Sequence, residues 1–259
     1  MAAAHVLDDG KNSQCPQMSR DIKHTSPCVT CRVQERSFCA ALLRNRAHHA
    51  STERNLAWQF HERADRGQLI CTRGEPCEDL FVICQGWAFR FIQLSDGRRQ
   101  ILSVLLPGDT FSASMIFENN FQFSVQALTE VRYSRMDREN ILSQAAVNPN
   151  IFRAAACISK NERQMADELA TNLGRRSAEE RVAYLLIYIV EQIKKREVGR
   201  DHGYPFPLRQ QHIADMTGLT PVYVSRVIKI FRDSNLVEME GGTVRILNHP
   251  KLERIGRLK

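Results

Sequence analysis

Three cysteines fall within twelve residues, in the spacing Cys28-x2-Cys31-x7-Cys39. Thiolates are soft ligands, and this spacing lets three of them converge on one centre, either zinc or an iron-sulfur cluster. Both centres take four ligands, so the local count is one short. Cys77 and Cys84, then Cys71, are the further candidates in a strand-rich segment, with Cys15 and the imidazole of His24 nearer the start. The same thiols without metal would serve redox sensing. Cys157 reads as a small packed hydrophobe. Eight cysteines in 259 residues are too dilute for a disulfide framework.

A second chemistry lies near the other end, in LRQQHIADMTGLTPVYVSRVIKIFRDSNL, Leu208 to Leu236. Its pattern predicts a helix over Arg209–Thr217 that buries Ile213, Ala214 and Met216. Gly218 permits a sharp turn, Thr220 supplies an N-cap and Pro221 opens a second helix to Asp233. That helix groups Val224, Val227, Ile228 and Phe231 on one face and Val222, Tyr223, Ser225, Arg226 and Lys229 on the other. Arginine can donate twice to guanine O6 and N7 in a major groove, so Arg226 is the expected base reader, with Ser225 beside it. Lys229 and Arg232 suit phosphates. Leu236 to Leu247 predicts a hairpin about Gly241-Gly242, which completes a winged helix-turn-helix. From Gly174 to Lys259 sixteen Lys and Arg face ten Asp and Glu, a surplus of six out of the chain's +7, as a polyanion-binding segment requires.

These groups need a scaffold. Between Gln68 and Ile141, apolar runs at Gln68–Thr72, Leu80–Cys84, Trp87–Leu94, Gln100–Leu106 and Val125–Tyr133 alternate with turn residues, and Asp96-Gly97 marks a hairpin. Such strands close into a barrel or sandwich. A helix is expected over Ser51–Ala64. Ile151, Ala155, Ile158, Met165 and Leu169 form a stripe of period 3.5 on a long helix, as for pairing with its own copy in a two-fold dimer. Glu162 interrupts that stripe, and a carboxylate there needs a partner. Ser177-Ala-Glu-Glu180 is a capping box opening a helix to about Lys195. The expected organisation is an arm over 1–27, a cysteine-rich segment over 28–45, a β-domain over 46–149, a dimerisation helix over 150–174 and a DNA-binding domain over 175–259. The sequence holds no run of eighteen uncharged apolar residues, and its start lacks a basic lead before an apolar stretch. We expect no membrane span, no secretory signal and a cytoplasmic address.

In this order, with LLPGDTF (Leu105 to Phe111), AEERVAYLL (Ala178 to Leu186) and IADMTGLTPVYVSR (Ile213 to Arg226), the chain resembles the CRP/FNR family of bacterial transcription regulators over essentially its full length. The resemblance implies an α+β fold: an N-terminal β-roll of the jelly-roll, cyclic-nucleotide-binding-like kind, a long dimerisation helix and a C-terminal winged helix-turn-helix. It also implies a homodimer on a palindromic operator in double-stranded DNA, with RNA polymerase as a further partner. The cysteine triplet is similar to that of the oxygen-responsive FNR, FnrN and FixK-like branch. By that resemblance Cys28, Cys31 and Cys39 are ligands of a [4Fe-4S] cluster in an activator of anaerobic or microaerobic genes.

The chain departs from the branch twice. Where FNR has its distant ligand cysteine, this chain has about Ser134, which leaves the fourth ligand to Cys77, Cys84 or Cys71, or leaves the triplet to sense thiol redox state or nitric oxide. Where FNR reads its half-site with Glu-x-x-Ser-Arg, this chain has Val222-x-x-Ser225-Arg226, which implies a relaxed or altered half-site. Phe111-Ser-Ala-Ser-Met-Ile116 offers no arginine to a phosphate, which argues against cyclic AMP. Haem would need His48, His49 or His61, better read as surface histidines. No nucleophile, base and acid come together in the pattern, so an enzyme is not expected.

Overall fold

The structure, a computed structural model, describes residues 38–43, 59–196 and 203–256. All of them fall within one compact unit, residues 32–259. Cys15, His24, Cys28, Cys31, His48 and His49 lie outside the described residues.

Two antiparallel sheets form the β-roll. One has the order β1 (Gln59–Ala64), β7 (Val131–Asp137), β3 (Asp79–Gln85); the other is β2 (Leu69–Cys71), β6 (Ser124–Ala127), β4 (Ala88–Gln93), β5 (Arg99–Leu105). Asp96-Gly97 turns β4 into β5. Leu80, Phe111, Met115, Val125 and Met136 are among the side chains of the roll's core, and Phe81 stacks on Phe111 with ring centroids 5.0 Å apart. The run Val125–Tyr133 is not one strand but two. Its turn at Leu128–Glu130 folds over Gly86, where a Cβ would sit 2.0 Å from the Glu130 carbonyl oxygen, so only glycine fits. The helix expected over Ser51–Ala64 is corrected as well. Gln59–Ala64 is a strand in register with β7 from Gln59↔Met136 to Ala64↔Val131, the ladder prevailing over local propensity.

α1 (Phe38–Leu43) packs on the start of a long helix, α3 (Pro149–Arg175), and Asn148 Nδ2 donates to the Ala41 carbonyl at 2.9 Å. Between the roll and α3 lies α2 (Arg138–Val147), capped by Asp137, which the sequence reading did not separate from the strands. The apolar stripe of α3 turns largely inward. Ile151 and Ala155 are buried in the roll's core, with Ile158 packed against it, so this half of the stripe is not free to meet a second copy. Cys157, two residues and so about 200° beyond Ala155, points outward; the packed thiol expected there is exposed.

α4 (Ala178–Lys194) begins at the expected capping box, with both Ser177 and Glu180 bonds formed. After residues 197–202, which are not described, come β8 (Tyr204–Pro205), α5 (Gln210–Thr217), α6 (Pro221–Asp233), β9 (Val237–Glu240), β10 (Thr243–Ile246) and α7 (His249–Gly256). These elements share a second core with the outer face of the β4–β5 hairpin, which supplies Phe89, Phe91 and Ile101. Both faces of β4 are thus covered, as its near-continuous apolar sequence requires.

Candidate nucleic-acid interface

α5 and α6 meet across Gly218, which ends α5 with φ +67° and donates its N–H to the Ala214 carbonyl. A Cβ at Gly218 would lie 3.0 Å from Leu173 of α3, so the turn is tight as well as left-handed. Thr220 caps α6, its hydroxyl accepting the Tyr223 N–H at 3.2 Å, with Pro221 at the first helical position. Val224, Val227 and Phe231 are buried beneath the helix. Its outer face carries Val222, Ser225, Arg226 and Lys229 at spacings three, one and three, which align along one side. Val222 is 81 % exposed and Tyr223 46 %. Arg232 is exposed two turns beyond Ser225 on the same line. Among the described residues, Arg226, Lys229 and Arg232 make no ion pair. The face is therefore cationic and without an ion-pair partner along the exposed side of a capped helix, an arrangement suited to an anionic polymer.

Beside it stands the wing. β9 and β10 pair in register from Val237↔Ile246 to Glu240↔Thr243 about Gly241-Gly242, both with positive φ. β8 adds a third strand that the sequence reading missed, giving the order β8-β10-β9.

Three arginines outside α6 fix where it points. Arg181 of α4 donates to the Arg176 carbonyl at 2.9 Å, to Leu173 at 2.9 Å and to Thr217 at 3.0 Å. One guanidinium thus joins the last carbonyls of α3 to those of α5, where helix dipoles favour a cation. Arg99 of β5 pairs with Asp215 of α5 at 2.7 Å and lies over the rings of Phe89 and Phe91. Arg196, after α4, pairs with Asp109 of the roll and donates to the Pro107 carbonyl. His212 packs against Phe89, and its Nδ1 accepts the Arg209 N–H that opens α5, at 3.0 Å. Arg181 stood in a quoted motif, but nothing local in the sequence marked these contacts.

The thiols are less convergent. Cys39 is buried on α1, Cys71 and Cys77 lie in the core of the roll, and Cys84 is half-buried. Burial pushes the Cys71 thiol up to about 12 and raises that of Cys77, whose Sγ donates to the Asp79 carbonyl at 3.3 Å. Among the described residues, no three His, Cys, Asp or Glu side chains are grouped to hold a metal ion. Nor is any described helix long and apolar enough to cross a membrane.

The comparisons with known proteins agree with this geometry. Residues 61–148 match the cyclic nucleotide-binding domain and residues 180–255 the Crp-like helix-turn-helix domain. The chain is 29 % identical over 229 residues to the transcriptional activatory protein AadR of Rhodopseudomonas palustris, covering 88 % of this chain and 92 % of that protein. It is 29 % identical over 174 residues to the nitrogen fixation regulation protein FixK of Azorhizobium caulinodans, covering 67 % and 69 %. The solved structure of FixK2 from Bradyrhizobium japonicum superposes with a TM-score of 0.71 at 23 % identity, covering 78 % of this chain and 98 % of that one, and so shares the fold. With a β-roll, a long helix and a capped, cationic reading helix in this order, the chain belongs to the CRP/FNR family of transcription regulators.

Proposed function

We propose that the protein is a homodimeric, sequence-specific regulator in the cytoplasm that activates anaerobic or microaerobic genes under control of an oxygen-labile [4Fe-4S] cluster. The observation that carries the DNA-binding part is the row Val222, Ser225, Arg226, Lys229 standing exposed on a helix whose other side is anchored in the core. In this reading Arg226 donates to guanine and Ser225 to a base or phosphate. Val222, without the carboxylate that would accept from cytosine N4, offers its methyl groups to a thymine methyl instead.

A palindromic operator needs two heads about one duplex turn, ~34 Å, apart. The second copy would come against the outward face of α3, where Phe152, Ala156, Ala166 and Ala170 are exposed at near-heptad spacing. RNA polymerase is the further partner we propose, by family resemblance.

Support for the sensing part is the spacing of Cys28, Cys31 and Cys39 together with the placement of Cys39 on α1, which packs against the first turns of α3. A cluster held there would supply an oxygen-sensitive centre whose loss frees three thiols. The chain's own part is to convert the state of α1 into a shift of α3, and hence of the spacing between heads. A shift in pairing of about 1.4 kcal/mol changes the binding constant tenfold, enough to switch occupancy. A second reading is thiol or nitric oxide sensing by the same cysteine triplet without a standing cluster.

Anaerobic purification with iron and sulfide analysis, spectra before and after air, and DNA binding on both samples separates the two. The cluster reading expects iron, sulfide and an affinity that air abolishes. Absence of iron with an affinity that follows thiol oxidants selects the second reading.

A further inference from the structure

We infer, on the homodimeric DNA-binding reading, that Arg99 and Asp215 are positioning residues: their pair clasps the reading head to the β-roll of its own chain and so sets which spacing of half-sites the protein accepts. Arg99 opens β5, and its Nε meets Asp215 Oδ2 of α5 at 2.7 Å. The other carboxylate oxygen, Oδ1, accepts from Gln211 Nε2 one turn earlier on α5, also at 2.7 Å. On the roll side Arg99 Nη1 donates to Gln126 Oε1 at 3.2 Å, and Gln126 Nε2 donates in turn to the Gly67 carbonyl at 2.7 Å. The guanidinium is thus tied to β6 and, through it, to the β1–β2 turn. It also lies over the Phe89 and Phe91 rings, 5.0 and 5.6 Å from their centroids. The adjacent Gln100 donates from Nε2 to the Met216 carbonyl near the end of α5 at 3.3 Å. Two neighbouring residues of one strand therefore hold α5 at two points.

The same junction buries Phe89, Phe91 and Ile101 together with the head, but apolar contact is non-directional and tolerates rotation. The clasp does not, because its donors and acceptors point in fixed directions. With Arg99 23 % exposed and Asp215 11 %, the pair is largely withdrawn from water. A pair so placed adds little net stability over an apolar replacement, and its best use is to specify register. Register here is the direction in which α6 leaves the roll, since α5 meets α6 across the tight turn at Gly218. In a two-fold dimer that direction decides how the two copies of α6 meet one duplex. A base pair added between half-sites moves them ~3.4 Å apart and turns one against the other by ~34°. A clasped head cannot follow that rotation; a head resting on apolar contacts alone can resettle.

The test compares the full-length wild type with Arg99→Met/Asp215→Leu, which replaces both charges by apolar groups. Anisotropy titrations use duplexes carrying the preferred half-sites, with the central spacer at its preferred length, one base pair shorter and one longer. The wild type is expected to bind the altered spacers at least about tenfold more weakly, and the double variant no more than about threefold more weakly. Changing the preferred guanine to adenine in each half-site should cost both proteins the same, because α6 itself is untouched. A role confined to holding the fold together would weaken every duplex alike and leave the spacer ratio at the wild-type value, and that result would overturn the inference alone. A wild type indifferent to the spacer would overturn the homodimeric reading and the inference with it, so the two failures are distinguishable. Should the double variant not fold, Arg99→Lys keeps a charge opposite Asp215 and gives up the fork that also reaches Gln126. A smaller spacer ratio in that variant supports the inference, and an undiminished one overturns it.

Discussion

Arginine serves opposite ends in the roll and in the reading head. Arg90, Arg99, Arg135 and Arg196 each meet a carboxylate across a junction of the roll: Glu162 on α3, Asp215 on α5, Asp79 and Glu62 between strands, and Asp109 beneath α4. On α6 the same side chain, Arg226, stands in solvent beside Lys229 with no carboxylate opposite it among the described residues. Pairing fixes elements to one another; lack of pairing, on a helix whose far side is locked by Val224, Val227 and Phe231, leaves a charge available to another molecule. A cationic surface is common, but one held this rigidly at a capped helix end is suited to reading a groove rather than merely attracting a polyanion.

Replacing an arginine of each kind sharpens the contrast. Arg181→Ala, at the joint of α3, α4 and α5, leaves three helix-end carbonyls without their charged donor and is expected to cost about 2–4 kcal/mol of stability, read as a lower denaturant midpoint. Arg226→Ala is expected to leave that midpoint unchanged and to weaken operator binding by about 1–3 kcal/mol, roughly five- to 150-fold, in an anisotropy titration. Thr220→Ala removes the cap that sets the start of α6 and should cost about 1 kcal/mol, while Thr220→Ser should cost a few tenths.

The smallest effect is one of pH. Burial, and after it the nearby Arg99, hold the His212 imidazole below its usual pKa, where its neutral Nδ1 accepts the Arg209 N–H. Arg209 and Arg66 also disfavour the proton, and Asp215 favours it. Since the unfolded chain binds that proton more readily, the contribution of His212 to stability is fully present above pH ~6.5 and declines as pH falls below it. His212→Gln, which keeps an acceptor for the Arg209 N–H, should flatten this part of the Tm profile between pH ~7.5 and ~5.

The head was legible in the sequence because its determinants are local. Gly218, Thr220 and Pro221 fix the turn, and the 3.6-residue period sorts α6 into its two faces, so the predicted bounds Pro221–Asp233 match the helix observed. The roll was legible as a succession of strands, but not in its pairing. The ladder that makes Gln59–Ala64 a strand is formed with residues about seventy positions on, beyond any local pattern. The stripe on α3 carried a true period with an ambiguous partner, since a core and a second copy demand the same spacing. Glu162 was marked as needing a partner, yet that partner stands 72 residues away, and Arg99 and Asp215 are 116 apart. No window of sequence contains such pairs. Short α7 escaped because Leu252 is nearly its only apolar core contact.

Selection of duplexes from a random pool, run in parallel with the wild type and Arg226→Ala, tests the assignment of α6 most directly. The account predicts that the wild type enriches a two-fold symmetric site with half-sites one turn apart, and that Arg226→Ala loses the preference at one guanine in each half while still binding DNA weakly. Recovery of the same site with undiminished preference by Arg226→Ala, or of no symmetric site by the wild type, would contradict it.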